Sequence, residues 1–212
     1  MNIMAQLQTV YVVDDDELAR DSVRALVESM GLTVETFASA ELFLAQFEPE
    51  MCGCLVTDIR MLGMSGLELQ AELNRMGALL PVIVLTAYAT TPATVRAIQQ
   101  GAITLLDKPY REDDLWNAIR KALALDARKR TEVAHRQAIR DRIGRLTESE
   151  RCVLGLVVAG KPNKAIADRM KVSVRTVENR RSEIYTKLQA ASVIDLVRMV
   201  IEADMMDDLP KE

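Results

Sequence analysis

Histidine occurs once in the 212 residues and cysteine three times. Together they suffice for no more than a single four-ligand zinc site. Cys52, Cys54 and Cys152 show no metal-ligand spacing and leave an odd thiol, which argues against a zinc site and against a disulfide framework. Three reduced, packed thiols are the simpler reading, and a redox role for Cys52-Gly53-Cys54 is the alternative. His135 lies among charged residues with no evident partner. Aromatic residues are scarce at 4 %, so the cores must be aliphatic. No run approaches the roughly 18 apolar residues of a membrane span. The start MNIMAQLQ has neither a basic segment nor a separate apolar stretch, so no signal peptide is evident and a cytoplasmic location is expected, away from any membrane. Gly/Ser-rich, Pro-rich and repeated segments are lacking too.

What is present suits a globular protein of two domains: 212 residues, 49 % hydrophobic and 27 % charged. The net charge of −4 is unevenly spread. Residues 1–125 carry 9 basic and 17 acidic side chains, residues 126–145 carry 7 and 3, and residues 146–212 carry 11 of each. Within the last stretch, 161–187 holds 8 basic and 3 acidic residues. An acidic front half repels nucleic acid, whereas the basic middle and the 161–187 region can attract it.

The first part alternates strand and helix. Apolar runs predict strands near 8–13, 32–37, 53–57, 81–85 and 103–106, with helices near 17–30, 39–47, 65–76, 91–100 and from 111 onward. Such alternation predicts a parallel sheet covered by helices on both faces. Gly31 and Gly101 close helices, and Ser65-Gly66-Leu67-Glu68 is a capping box. Between Pro109 and Gly144 there is neither glycine nor proline, which predicts one helix over 111–143, about 50 Å long. Its apolar stripe thins beyond Asp126, so fraying after about residue 128 is the alternative. From Leu146 four short helices are expected, opened by the Thr147/Glu150 capping box, Pro162-Asn163, Ser173 and Ser192, and followed by a frayed acidic tail DMMDDLPKE.

Four of the strand-like runs end on polar residues. VYVV ends at Asp14 and Asp15, CLVT at Asp58, VIVL at Thr86, and ITLLD at Lys108 before Pro109. Ligands of open parallel sheets bind beyond the carboxyl ends of the strands, so this order gathers three carboxylates, a hydroxyl and an ammonium at one rim. Crowded carboxylates need a cation, and hard oxygen ligands suit Mg²⁺. Asp58 attacking a phosphoryl group would give an acyl phosphate, its charge offset by the metal and Lys108, with the Thr86 hydroxyl donating to a phosphoryl oxygen. Taken singly, DDDE can be an acidic helix start, Asp58 a loop acid and Lys108-Pro109 a turn. Their joint order argues for a site.

Within 174–188, Val174, Val177, Ile184 and Leu188 share one helical face and are expected to pack inward, while Arg175, Glu178, Asn179 and Ser182 share the other. Such a helix can enter a major groove, with Arg reading guanine, Asn adenine and Glu cytosine. Lys164, Lys171, Arg181 and Lys187 are placed for phosphate contacts. On charge alone, an ordinary solvated surface helix fits equally well.

On VVDDD, LVTDIRMLGMSGLEL, VIVLTAYA and LLDKP, residues 8–125 resemble the receiver domain of two-component response regulators. On LTESERCVLGLVVAGKPNKAIADRMKVSVRTVENRRSEIYTKL, residues 146–203 resemble the LuxR-type helix-turn-helix. The whole chain thus resembles the NarL/FixJ class. The resemblance implies an α/β doubly wound five-stranded parallel sheet of order 2-1-3-4-5, joined by a long helix to an all-α four-helix domain. It implies a receiver at 1–125, a helical linker at 126–144 and a DNA-binding domain at 145–212. It makes Asp58 the phosphoacceptor, Thr86 the switch hydroxyl, and Lys108 and Ala87 phosphoryl contacts. Asp14, Asp15, Asp58 and the carbonyl of Arg60 hold Mg²⁺, and Lys108-Pro109 is a cis peptide. Lys164, Ser173, Arg175, Thr176, Glu178, Asn179, Arg180, Arg181, Ser182 and Lys187 face DNA. The implied partners are a sensor histidine kinase, promoter DNA, RNA polymerase as a further candidate, and a second copy of the chain after phosphorylation, through the face that includes the 91–100 helix and through the last helix. Tyr88 and Arg60 sit where the family tunes dephosphorylation.

Three positions depart from the family pattern: Leu62 where proline is usual, Leu105 where a switch aromatic is usual, and Arg180 where histidine is common. Leu105 cannot be a rotating aromatic readout, which keeps open DNA binding that does not depend on phosphorylation. A protein-binding output is the other alternative. A Mg²⁺-dependent phosphatase using Asp58 would need a general acid two residues on, where Arg60 stands. The expected function is therefore a DNA-binding transcription regulator switched at Asp58, not a turnover enzyme.

Overall fold

The apolar runs become strands of one sheet, three of them with a neighbour on both sides and two forming its edges. The computed structural model describes residues 8–87, 97–99, 101–206 and 208–209. Strands β1 (Thr9–Val13), β2 (Thr33–Phe37), β3 (Gly53–Asp58), β4 (Val82–Thr86) and β5 (Thr104–Asp107) form one parallel sheet of order β2-β1-β3-β4-β5. β1 and β3 are buried throughout, as central parallel strands must be. Register places Val13 beside both Phe37 and Thr57, and Asp58 beside Leu85.

Alternate residues of each strand face opposite layers. Val10, Val12, Val56, Ile83 and Leu85 pack with Val23 and Val27 of helix α1 (Glu17–Ser29) and with Leu115 and Ile119 of helix α4 (Glu112–Gly144). Tyr11, Val13, Leu55 and Val84 pack with Phe43 of helix α2 (Ala40–Gln46) and with Leu69 and Leu73 of helix α3 (Gly66–Arg75). Phe43 meets Phe37 edge to face at 5.2 Å. The helix expected over 91–100 lies largely outside the described residues, of which 97–99 are helical.

Two compact units divide the chain, residues 1–130 and 131–212. Helix α4 runs unbroken for 33 residues, so fraying after residue 128 does not occur. Its Asp126 is fully buried and accepts from the Gly53 N–H at 3.0 Å and from Arg130 at 2.8 Å. Arg130 also donates to the Met51 carbonyl. Gly53 is required here: its φ is +134°, and a Cβ would fall 1.8 Å from the Thr9 carbonyl oxygen.

The second unit contains helices α5 (Glu148–Val158), α6 (Asn163–Met170), α7 (Val174–Leu188) and α8 (Val193–Glu202). Both expected capping boxes form, at Ser65/Glu68 and Thr147/Glu150. Ser173 and Ser192 cap α7 and α8. Ile143, Leu154, Ile166, Val177, Ile184, Leu188 and Val200 make the core. Three local expectations fail. Leu209 is buried in this core with Met205 packed beside it, because apolar side chains in the acidic tail find cover. Val174 is 40 % exposed, since the first turn of α7 projects past the core. His135 has a partner after all, Glu202 at 3.2 Å.

Candidate functional site

The carboxyl ends of β1, β3, β4 and β5 place the predicted polar residues. After β1, the run Asp14-Asp15-Asp16 splits by role. Asp16 caps α1, accepting from the Leu18 and Ala19 amides. Asp14 turns inward and is 3 % exposed. Asp58 ends β3 and is 8 % exposed. The Lys108 ammonium donates to Asp14 Oδ2 and to Asp58 Oδ1, both at 2.8 Å. Burial by itself would lower the Lys108 pKa, but the hydrogen bonds to Asp14 and Asp58 outweigh it and raise the value. The ammonium is therefore charged and held between two carboxylates.

Backbone groups fix both acids. Asp14 Oδ1 accepts from the Asp16 N–H at 2.9 Å, and Asp58 Oδ2 from the Arg60 N–H at 2.6 Å. Gly66 opens α3 directly against Asp58, since a Cβ there would lie 2.1 Å from the Asp58 carbonyl oxygen. Thr86 ends β4 almost fully buried, and its carbonyl accepts from the Lys108 N–H at 2.7 Å. That bond aligns the start of the Lys108-Pro109 turn, whose peptide is cis. Ala87 follows, exposed; Tyr88 lies outside the described residues.

Asp15 behaves differently from its neighbours. It is exposed, and its Oδ2 accepts from the Leu62 N–H at 2.9 Å. The three carboxylates expected at one rim therefore do not converge. Among the described residues no three His, Cys, Asp or Glu side chains come together as a metal cluster. The chemistry of the donors nevertheless suits Mg²⁺, which needs one or two carboxylates plus waters and phosphate oxygens. Asp14 and Asp58 less the Lys108 ammonium leave one negative charge, and Asp15 would supply a second to match a divalent cation only on joining them.

In the second unit, α7 shows Arg175, Glu178, Asn179 and Ser182 exposed, with Thr176 and Arg180 half-buried and Ser173 exposed at the cap. Lys164 is exposed on α6. Two of the predicted phosphate contacts are engaged inside the protein. Arg181 donates to Asn163 Oδ1 at 2.6 Å, tying α7 to α6. Lys187 donates to both oxygens of Glu150 at 2.6 and 2.7 Å, tying α7 to the start of α5. Glu150 is 2 % exposed. Its role as an anchor escaped sequence reasoning, which saw only its capping-box position.

Each unit is similar to a known family of proteins. The model for the response regulator receiver domain matches residues 10–120, and that for bacterial regulatory proteins of the luxR family matches residues 145–200. The chain is 42 % identical over 200 residues to the transcriptional regulatory protein FixJ of Azorhizobium caulinodans, covering 94 % of this chain and 95 % of that one. It is 37 % identical over 190 residues to the response regulator protein TodT of Pseudomonas putida, covering 90 % and 84 %. Among solved structures it resembles the response regulator StyR, with TM-score 0.81, 40 % identity and coverage of 92 % and 98 %. It also resembles full-length FixJ from B. japonicum, with TM-score 0.57, 35 % identity and coverage of 93 % and 98 %.

Proposed function

This chain belongs to the response regulators that join a receiver domain to a luxR-family DNA-binding domain, and from that membership we propose that phosphorylation of Asp58 switches its DNA-binding output. A receiver so joined implies a histidine kinase and promoter DNA as partners. The observation that carries the proposal is the buried Asp58 carboxylate, bridged through Lys108 to Asp14. In the transfer, an Asp58 oxygen forms a bond to phosphorus while the bond to the donor imidazole breaks, and the imidazole takes up a proton. Lys108 stays charged against the added phosphoryl oxygens, Ala87 lies at their edge, and the Thr86 hydroxyl turns to them. Asp14, Asp15, Asp58 and the Arg60 carbonyl would hold Mg²⁺, which when bound offsets phosphoryl charge. The receiver then occupies 1–125, the connector 126–144 and the DNA-binding domain 145–212. Phosphorylation shifts the receiver between two states, and the active state pairs two copies on two half-sites. Among the described residues no helix is long and apolar enough to cross a membrane, in keeping with a cytoplasmic regulator.

The recognition surface is the exposed face of α7, where Arg175, Glu178, Asn179 and Ser182 read bases while Ser173, Thr176, Arg180 and Lys164 meet the backbone. RNA polymerase is a further candidate partner once the dimer is on DNA. A second reading, DNA binding without phosphorylation, is favoured by Leu105, which packs against the sheet's core where a swinging aromatic would be needed. One experiment separates the two. DNA binding and sedimentation of the full chain are measured in Mg²⁺ with and without beryllofluoride, a mimic of the aspartyl phosphate. The expected result is dimerisation and tighter binding, both lost in Asp58→Asn. Equal binding by wild type and variant in all conditions would overturn the switch and support the second reading.

A further inference from the structure

The loop after β3, residues 59–65, is held to other elements by two carboxylates. Asp15 accepts from the Leu62 N–H at 2.9 Å, and Glu41 from the Met64 N–H at 2.8 Å. The Leu62 side chain itself is 82 % exposed, so its backbone amide is what position 62 contributes. Asp14 and Asp58 already point into the pocket and share Lys108. Asp15 is exposed and gives its Oδ2 to the loop. With Asp15 counted out, two carboxylates and one ammonium leave a single negative charge in the pocket. With Asp15 counted in, two negative charges face a divalent cation.

We propose that the Leu62 amide competes with the cation for the Asp15 carboxylate, so that residue 62 sets cation affinity and cation binding frees the loop from Asp15. This rests on the reading above that Asp14, Asp15 and Asp58 hold Mg²⁺. A carboxylate that accepts from an N–H gives up part of the lone-pair density a hard cation needs, and the amide must find water when the carboxylate leaves. An imino acid at position 62 has no N–H to offer, so there the competition vanishes. The bond is exposed, so its loss is worth a modest factor: Leu62→Pro is expected to bind Mg²⁺ about threefold to tenfold more tightly. Leu62→Ala, which keeps the N–H, should bind as wild type does.

The test is calorimetric titration of the full-length protein with Mg²⁺ alone, comparing wild type, Leu62→Pro, Leu62→Ala and Asp14→Asn. In parallel, the backbone amide resonances of wild type are followed through the same titration, which needs no variant to fold. The Leu62 amide proton should move upfield with the midpoint of binding as it loses its carboxylate, while the Met64 amide, bonded to Glu41, stays nearly fixed. Equal affinity of Leu62→Pro and wild type, or a Leu62 amide unmoved at saturation, overturns the competition. If Asp14→Asn binds Mg²⁺ as tightly as wild type, the cation site itself is misplaced, and the underlying reading falls with the proposal.

Discussion

The ion pair between Glu150 and Lys187 sets a pH limit on the DNA-binding unit. Burial by itself would push the Glu150 carboxyl up. The Lys187 ammonium, the Thr147 N–H at 2.7 Å and the Thr147 hydroxyl at 3.0 Å outweigh it and bring the pKa from 4.5 down to about 2. Protonation of Glu150 thus costs more in the folded state than in the unfolded one. At ~1.4 kcal/mol per tenfold, that difference corresponds to about 3 kcal/mol of stability. The Lys187 side chain is 40 % exposed, so solvent screening trims the value to about 2 kcal/mol. Because the folded pKa is the lower one, the stabilisation is complete above the unfolded value near 4.5 and is lost as pH falls from there to about 2.

Carbon-detected NMR of the Glu150 carboxyl reads the midpoint directly, and urea unfolding followed at the Val177 and Ile184 amides reads the stability. Wild type should titrate near 2, and Lys187→Met should titrate higher. The advantage of wild type over Glu150→Gln should be about 2 kcal/mol at pH 6 and close to nothing at pH 2. A wild-type midpoint near 4.5, or an advantage that does not change with pH, refutes the reasoning.

Further predictions follow from other contacts. Lys108→Met strips the shared cation from two buried carboxylates and should destabilise the receiver unit by about 3 kcal/mol, partly restored by Mg²⁺, as read by urea unfolding through Trp116 fluorescence. Asp126→Ala orphans the buried Gly53 N–H and loosens Arg130, for an expected loss of about 2–4 kcal/mol in the same assay. Gln70 is 1 % exposed, its Oε1 has no partner among the described residues, and its Nε2 reaches the Ala97 carbonyl only at 3.4 Å. Gln70→Met should therefore stabilise the unit by about 1 kcal/mol, seen as a higher urea midpoint. Lys164→Ala should lower the slope of log K against log salt for DNA by about one, whereas Lys187→Ala should act through stability and leave that slope nearly unchanged.

Local signals were enough to place the elements. Apolar runs bounded by turn residues gave all five strands to within a residue or two, and Ser65/Glu68 and Thr147/Glu150 marked helix starts through side chains three positions apart. Partner choice across long separations was not legible in the same way. Asp126 looked like the first residue of a linker, yet it is buried because it meets Gly53, 73 positions away. Lys187 looked like a phosphate contact, and the one acid near it in the helix, Glu183, is not what claims it; Glu150, 37 positions back, does. Asp15 looked equivalent to Asp14, since adjacent residues of one type cannot be told apart without knowing that a loop 47 positions on returns an N–H to one of them. Periodicity also misjudged Val174, because a period assigns a face but does not say how far the core extends along it.

These long-range contacts restrict how a charge added at Asp58 can be relayed within the receiver. β3 is fixed at both ends. At its start the Gly53 N–H is held by Asp126, and there is no room for even a Cβ against Thr9. At its end Asp58 is held by Lys108 and by the Arg60 N–H. A strand so clamped, and buried along its whole length, cannot slide to report phosphorylation without breaking a buried hydrogen bond at Gly53. Leu105 offers no rotating ring either. What remains adjustable at the rim are the 59–65 loop, whose Leu62 and Met64 amides go to the exposed Asp15 and Glu41, and the Lys108 ammonium, which shares itself between two buried acids. Relay through the loop predicts that a bond from Asp15 to the loop matters to output even though Asp15 never touches the phosphoryl group. The Leu62→Pro variant, scored for beryllofluoride-dependent dimerisation beside its Mg²⁺ affinity, tests that consequence: its response should differ from wild type at saturating Mg²⁺, and an identical response would confine Leu62 to setting cation affinity.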